Sequence, residues 1–295
     1  MKSGFVSLIG RPNTGKSTLL NTIIKEKVAI ISNKAGTTRN IIQGIYNDDD
    51  TQIVFVDTPG IGKPTTKLNK LLNREALVHT KDVDAVLFVI DFHSGFGKGD
   101  LKVLDILKDS EVPVILVLNK IDMMSNEEIL EGINKVKDLG SFAEIIPLSG
   151  LKNDNVDRLI EVTKKYLSDD VKYFSEDEFT SQTSKFMASE LVREKILNKT
   201  EEEIPHSVTC YTTFFESKKN VINISVDIIV DRDSIKKIII GKKGERIKSI
   251  GIEARRDMEK LFGSKIYLET YVKTVKNWKD KEKYLKELGF DSTVE

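Results

Sequence analysis

The chain has 295 residues, enough for two domains that each bury a core, and its composition, 39% hydrophobic and 31% charged, is that of a globular protein. With 18 glycines and 6 prolines it is neither collagenous nor of low complexity. Its 46 basic and 46 acidic residues cancel, so no global field draws it to nucleic acid or membrane, and any such preference must come from local clustering.

In chain order, five short, almost wholly apolar runs (5–9, 52–56, 85–90, 114–118 and 144–147) alternate with segments of helical length and periodicity (17–27, 68–80, 101–109, 126–139 and 155–167). Continuous apolarity suits strands covered on both faces. The alternation predicts a doubly wound, mostly parallel α/β domain over residues 1–168. Residues 169–184, polar and acidic with a few aromatics, read as a linker.

Residues 185–295 predict a smaller α+β domain. A helix over 185–197 is followed by two alternating strands, 207–216 and 220–230, with a turn at 217–220. A helix over 234–240 ends at Gly241, and a second starts near Glu245 with Ile247, Ile250, Gly251, Ala254, Met258 and Leu261 on one face. A strand over 265–271 and a basic helix around 277–288 complete the order. The window 236–283 holds 15 Lys or Arg against 7 Asp or Glu, a local charge of +8 in a chain whose total is zero.

Cys210, the single cysteine, cannot form an internal disulfide, which points to reducing, cytoplasmic conditions. His79, His93 and His206 have no companions at ligand spacing, which argues against a zinc site. The start runs straight into a strand-like segment without a cleavable leader. The most apolar runs fall far short of the ~20 residues that span a bilayer. No exposed repeat or heptad suggests more than a monomer.

The first predicted strand runs into Gly10-Arg11-Pro12-Asn13-Thr14-Gly15-Lys16-Ser17, a match to the phosphate-loop pattern GxxxxGK(S/T), and the first helix opens on it. Inward-facing N–H groups and the helix N-terminus hold an anion there. Lys16 reaches the β- and γ-phosphates, the Ser17 hydroxyl ligates Mg2+, and Thr18 completes the nucleotide-facing run. Asp57-Thr58-Pro59-Gly60 ends another strand, where a carboxylate holds the Mg2+ shell and the Gly60 amide approaches the γ-phosphate with no side chain in the way. Asn119-Lys120-Ile121-Asp122 ends a third. An aspartate there accepts two hydrogen bonds from guanine N1–H and N2–H2, which adenine cannot donate. Ser149-Gly150-Leu151, after the last strand, offers backbone N–H to guanine O6. Singly, each is an ordinary loop or cap. In this order, at strand C-termini, they converge on one guanine-nucleotide crevice.

These motifs resemble those of the translation-factor-related small GTPases, and Ala35-Gly36-Thr37-Thr38-Arg39 is similar to the second motif of the Era-like branch. That resemblance implies that Thr38, rather than Thr37, ligates Mg2+ when GTP is bound, and that Lys16, Thr38 and Gly60 act on the γ-phosphate during hydrolysis to GDP. Ile61 stands where Ras-type enzymes place the glutamine that orients water, which implies a GTPase slow alone and stimulated by a partner or cation. Asn13 holds the position at which related GTPases bind K+. It either holds that ion in place of an arginine finger or only shapes the loop.

Gly241-Lys242-Lys243-Gly244 lies between two predicted helices inside the basic window. Such a GxxG loop is how KH domains clamp nucleic-acid backbone, the glycines permitting close approach and the lysines meeting phosphate. Ile238, Ile239, Ile240 and Ile247 flank it with apolar surface. Lys273, Lys276, Lys279, Lys281 and Lys283 read equally well as a solvated face.

A GTPase domain, then Ser189–Ile196 in a helix, then Glu203-Ile204-Pro205-His206-Ser207, then a GxxG domain, resembles the Era-like GTPases over essentially the whole chain. The resemblance implies a type II KH fold, binding near the 3′ end of 16S ribosomal RNA, a role in maturation of the 30S subunit, and peripheral association with the inner face of the cell membrane. For the last of these the sequence offers no amphipathic anchor. Gly150 departs from the family's commoner alanine but keeps the N–H. Two other readings compete. Ile61 motivates an RNA chaperone in which GTP is a structural ligand. A tRNA-modification GTPase shares the Thr-Thr-Arg segment but usually carries a C-terminal catalytic cysteine, and none follows Cys210.

Overall fold

The computed structural model describes residues 1–62, 64–201, 204–288 and 290; Glu203 and the predicted domain's residues 289 and 291–295 lie outside them. The chain forms two compact units. The first comprises residues 1–29, 38–65 and 69–181; the second comprises residues 30–37, 66–68 and those from 182 onward.

The first unit is built on six strands: β1 (Lys2–Ile9), β2 (Ile42–Asn47), β3 (Thr51–Asp57), β4 (Ala85–Asp91), β5 (Val114–Asn119) and β6 (Glu144–Leu148). They lie in the order β2-β3-β1-β4-β5-β6, all neighbours parallel except β2 on β3. Leu8, Ile9, Val86–Ile90 and Ile115–Leu118 are inaccessible to solvent, as strands covered on both faces must be. Helices α1 (Lys16–Ile24), α2 (Lys67–Val78), α3 (Lys98–Leu107) and α4 (Asn126–Val136) lie between strands, and α5 (Val156–Thr163) follows β6. With β3 on one side of β1 and β4 on the other, the winding reverses at β1. A crevice therefore opens at the carboxyl ends of these strands.

Two features of the first unit differ from expectation. β2 is an antiparallel edge strand over residues the apolar-run criterion passed by, because Gly44 and the polar Gln43 interrupt it. Gly44 is there for packing: a Cβ would fall 2.7 Å from Leu20 Cδ1 of α1. Residues 169–181, read as linker, are hydrogen-bonded into the first unit. Ser3 and Asp169 exchange both backbone bonds, Ile45 N–H donates to Phe179 O, and Gln52 is bonded to Tyr173 and Phe174.

The second unit contains α6 (Ser184–Lys199), the hairpin β7 (Val208–Lys218) and β8 (Val221–Val230), then α7 (Asp233–Ile240), α8 (Glu245–Phe262), β9 (Lys265–Thr274) and the short α9 (Glu282–Glu287). Its sheet runs β7-β8-β9, with β8 and β9 parallel, so α7 and α8 form the crossover. Alternate residues Ile222, Ile224, Val226, Ile228 and Val230 of β8 pack against Leu191 and Ile196 of α6 and against Ile250, Ala254 and Met258 of α8. Ile247 and Leu261 are only half-buried against this core, and a Cβ on Gly251 would touch nothing. The single basic helix expected at 277–288 is broken. Asn277 adopts φ +54, Lys281 is extended, and Trp278 between them is wholly buried with its indole N–H on Ser207 O at 3.2 Å.

Candidate nucleotide site and RNA-binding loop

The phosphate loop leaves β1 and hands the chain to α1 at Lys16. Gly15 adopts φ +94, and a Cβ there would fall 2.3 Å from Asn119 Nδ2, so both backbone and space demand glycine. Lys16 is buried, its Nζ donating to the carbonyls of Gly10 (3.3 Å) and Arg11 (3.0 Å). Burial lowers its pKa against the opposing charge of Asp57. Arg11 supplies only backbone, because its side chain pairs with buried Asp100 of α3 at 2.8 Å. Asn13 is exposed at φ +67, and Thr14 donates to Arg11 O at 3.2 Å. Thr18 contributes its carbonyl to Thr22 Oγ1.

Next to the loop three oxygens gather. Ser17 Oγ lies 2.6 Å from Asp57 Oδ2 and 2.8 Å from Thr38 Oγ1, and Thr38 Oγ1 lies 3.4 Å from the same Asp57 oxygen. Asp57 is inaccessible to solvent, and burial raises its pKa in spite of Lys16, Ser17 and Thr38. Its Oδ1 has no hydrogen-bond partner among the described residues. Hard oxygen donors spaced near the ~2.9 Å that separates adjacent ligands of an octahedral Mg2+, beside an orphaned carboxylate oxygen, fit that ion. Ser17, Thr38 and Asp57 would hold it, and Mg2+ there would neutralise charge on the phosphoryl oxygens. Thr37 lies outside the cluster, its hydroxyl closing on Lys34 O at 2.6 Å.

The Asp57–Gly60 segment divides its labour. Thr58 is fully buried with its hydroxyl on Leu8 O at 2.7 Å, and Pro59 is buried, so both side chains brace the strand end. A Cβ on Gly60 would lie 2.6 Å from Pro12 N, so the phosphate loop itself requires glycine there. Ile61 donates its N–H to Gly10 O and packs against the core between the sheet and α3–α4, offering no group that orients water.

At the base end, the Asn119 carboxamide ties three loops. Its Nδ2 donates to Thr14 O, and its Oδ1 accepts from the N–H groups of Lys120 and Gly150, each at 2.9 Å. The Gly150 amide expected to face guanine O6 is thus engaged by Asn119. An alanine here would bring its Cβ to 3.2 Å from Leu19 Cα, which glycine avoids. Ser149 is buried and donates to Asp122 Oδ1 at 2.6 Å, which fixes the direction of that carboxylate; Leu151 is exposed. Lys120 lies across the site, Nζ on Asn13 O at 2.9 Å and on Asp91 Oδ2 at 2.7 Å. Burial pushes the Asp91 carboxyl up, but bonds from Lys120 and Ser94 hold it below its ordinary range. Asp91 and Asp100 escaped sequence reasoning because each lies in a segment without a motif.

In the second unit, α7 ends at Gly241 (φ +75), Lys243 and Gly244 adopt φ +50 and +77, and α8 begins at Glu245. The left-handed backbone thrusts Lys242 and Lys243 into solvent. Arg246 Nη1 donates to Ile238 O and so pins the turn. Ile240 and Ile247 flank it half-buried and Ile238 is 40% exposed. Ile239, expected on this surface, is wholly buried in the core. Lys273 and Lys279 are paired with Asp227 and Asp231, so part of the basic window serves the fold.

Residues 5–120 match the family described as 50S ribosome-binding GTPase, and residues 203–279 match the KH domain family. Two solved structures are similar over the full length: Era from Aquifex aeolicus bound to GDP·AlF4−, and Era in complex with MgGDPNP and nucleotides 1506–1542 of 16S ribosomal RNA. Each is 39% identical to this chain, covers 98% of it and 99% of its own length, and superposes with a TM-score of 0.95. With its phosphate-loop nucleotide site on a doubly wound sheet and its GxxG crossover on a KH sheet, the chain belongs to the Era family of GTPases.

Proposed function

We propose that this protein is a Mg2+-dependent GTPase that hydrolyses GTP to GDP and phosphate, binds 16S ribosomal RNA near its 3′ end, and acts as a switch in assembly of the 30S subunit. The observation that carries the reading is the Ser17–Thr38–Asp57 oxygen cluster with its orphaned Asp57 oxygen, on a fold shared end to end with Era bound to GDP·AlF4− and to MgGDPNP with 16S RNA. Amides of the phosphate loop and Lys16 hold the phosphates in place. Asp122, oriented by Ser149, selects guanine. Thr38 and Gly60 sense the γ-phosphate and are released on hydrolysis. Ile61 supplies no water-orienting group, so turnover is slow until a partner, or a monovalent cation such as K+ at Asn13, adds what is missing. The two exposed lysines of the GxxG loop meet the RNA backbone.

The family resemblance also supports a cytoplasmic protein that touches the inner membrane face peripherally; no described helix is long and apolar enough to cross a membrane. The test is the affinity of the full chain for a 16S 3′-end fragment, with GDP and with a non-hydrolysable GTP analogue, at fixed salt. Tighter binding with the analogue supports the switch. Equal affinities contradict it.

A further inference from the structure

The carboxylate of Asp100 is inaccessible to solvent, and both of its oxygens accept hydrogen bonds. Oδ2 takes the N–H of Gly97 at 2.8 Å, the ordinary service of an acidic residue in the first turn of a helix, here α3. Oδ1 does something that α3 does not need. It accepts from Arg11 Nε at 2.8 Å, 89 positions back in the phosphate loop. Removing a carboxylate from water is costly, and a helix start does not require it, since neutral serine or asparagine caps as well. The turn into α3 is also shaped to the Arg11 side chain. A Cβ on Gly99 would fall 2.4 Å from Arg11 Cδ, and one on Gly97 would stand 3.7 Å from Nη1. All of these residues belong to the first unit.

The backbone on either side of Arg11 carries contacts of the nucleotide site. The Arg11 carbonyl accepts Lys16 Nζ at 3.0 Å and Thr14 Oγ1 at 3.2 Å. Before it, Gly10 O accepts Lys16 Nζ at 3.3 Å and the N–H of Ile61 at 3.2 Å. After it, Pro12 N is the atom that a Cβ on Gly60 would strike at 2.6 Å. Three consecutive residues, 10–12, therefore set where the Lys16 ammonium rests and how closely the Gly60–Ile61 backbone approaches. The middle one is anchored through its side chain to the start of a helix, which restricts the torsions of the loop at that point.

We propose that Asp100 is a positioning residue for GTP hydrolysis: it holds Arg11 in the seat left open by Gly99 and so fixes the 10–12 backbone against which Lys16 and Gly60 are aligned. This rests on the GTPase reading above. What Asp100 supplies is alignment of the loop, not a group that reacts.

Two variants of the full chain test it. In Asp100→Asn the amide oxygen still accepts from Gly97 while its NH2 group faces the Arg11 donor, so the helix start is kept and the tie is cut. In Gly99→Ala both charges remain, and the added methyl group pushes the Arg11 stem from its seat. Alanine is the better helix former, so a role confined to α3 would leave that variant as fast as wild type. Single-turnover hydrolysis is read at saturating GTP and Mg2+, with GDP affinity beside it and melting curves to establish that each variant is folded at the assay temperature. A misplacement of ~1 Å can cost about 100-fold, so each variant should slow hydrolysis at least about tenfold, with a smaller loss of GDP affinity. The double variant should be about as slow as the slower single, because both changes act through one side chain. A smaller slowing in either folded variant, losses that multiply in the double variant, or a loss of GDP affinity as large as the loss of rate overturns the proposal. Should Asp100→Asn fail to fold, Gly99→Ala decides by the same rate and affinity criteria. Wild-type protein that hydrolyses GTP no faster than water overturns the GTPase reading and this inference together, whereas an active wild type with equally active variants overturns this inference alone.

Discussion

The Ser17 hydroxyl lies 2.6 Å from Asp57 Oδ2, whereas the other oxygen of the same buried carboxylate has no hydrogen-bond partner among the described residues. An unsatisfied buried polar group costs about 1–3 kcal/mol, more when charged. The opposite end of the crevice is built differently. There the Asn119 carboxamide is bonded to Thr14, Lys120 and Gly150, and Asp122 is fixed by Ser149. The Asn119–Asp122 end is thus closed by its own hydrogen bonds, whereas the Ser17–Thr38–Asp57 end keeps one buried carboxylate oxygen unsatisfied among the described residues.

Asp122→Asn removes an acceptor that adenine could not use and guanine requires. Hydrogen bonds to a charged group are worth about 1.5–3 kcal/mol, so GTP affinity should fall by roughly 10–150-fold. Xanthosine triphosphate, which presents an oxygen where guanine has its amino group, should gain. Competition binding with the two nucleotides checks this; equal losses for both would contradict it.

Gly60→Ala places a methyl group 2.6 Å from Pro12 N, against backbone rather than a flexible side chain. Overpacking of this kind costs about 1–3 kcal/mol, and here the displaced element is the phosphate loop. Single-turnover GTP hydrolysis should drop at least about tenfold while the base end still binds GDP. Stopped-flow GDP binding beside hydrolysis separates the two effects.

Lys120→Met severs the tie from Asp91 to the Asn13 carbonyl. Asp91 has a depressed pKa in the folded protein, so its contribution is present above the ordinary value of 3.8 and is lost as pH falls below it. The stability gap between wild type and variant should be about 1 kcal/mol at neutral pH, both partners being partly exposed, and should close as the pH drops below 3.8. Urea melts across that range measure the gap, and a constant gap would contradict the assignment.

Lys242→Asp with Lys243→Asp leaves the nucleotide site untouched and should weaken binding to a 16S 3′-end fragment at least about tenfold. Each lost phosphate contact on single-stranded RNA lowers the salt slope by about 0.7, so the slope should fall by about 1.4 or more. GTP hydrolysis should be unchanged. An unaltered RNA affinity would remove the GxxG loop from the interface.

The nucleotide crevice was legible because its chemistry is local: Gly10–Ser17, Asp57–Gly60, Asn119–Asp122 and Ser149–Leu151 each sit where an apolar run ends. The GxxG turn was legible for the same reason. What failed to show were relationships between distant residues. The partners Arg11–Asp100 and Arg193–Thr37 are 89 and 156 positions apart, and no periodicity reports them. α6 misleads in particular, because its charged residues Glu190, Arg193 and Glu194 are as buried as its leucines. β2 was hidden because Gln43 and Gly44 interrupt its apolar run, and the helix expected at 277–288 was broken by the left-handed backbone at Asn277 beside buried Trp278.

Single-turnover hydrolysis of GTP by the full chain, with Mg2+ and with EDTA, and with ATP as comparator, bears most directly on the central claim. Slow release of phosphate from GTP that exceeds the rate in water, disappears on chelation and is not seen with ATP is the predicted result. Phosphate release no faster than in water, or equal rates for GTP and ATP, would contradict it; the first would leave an RNA-binding protein in which GTP is only a structural ligand.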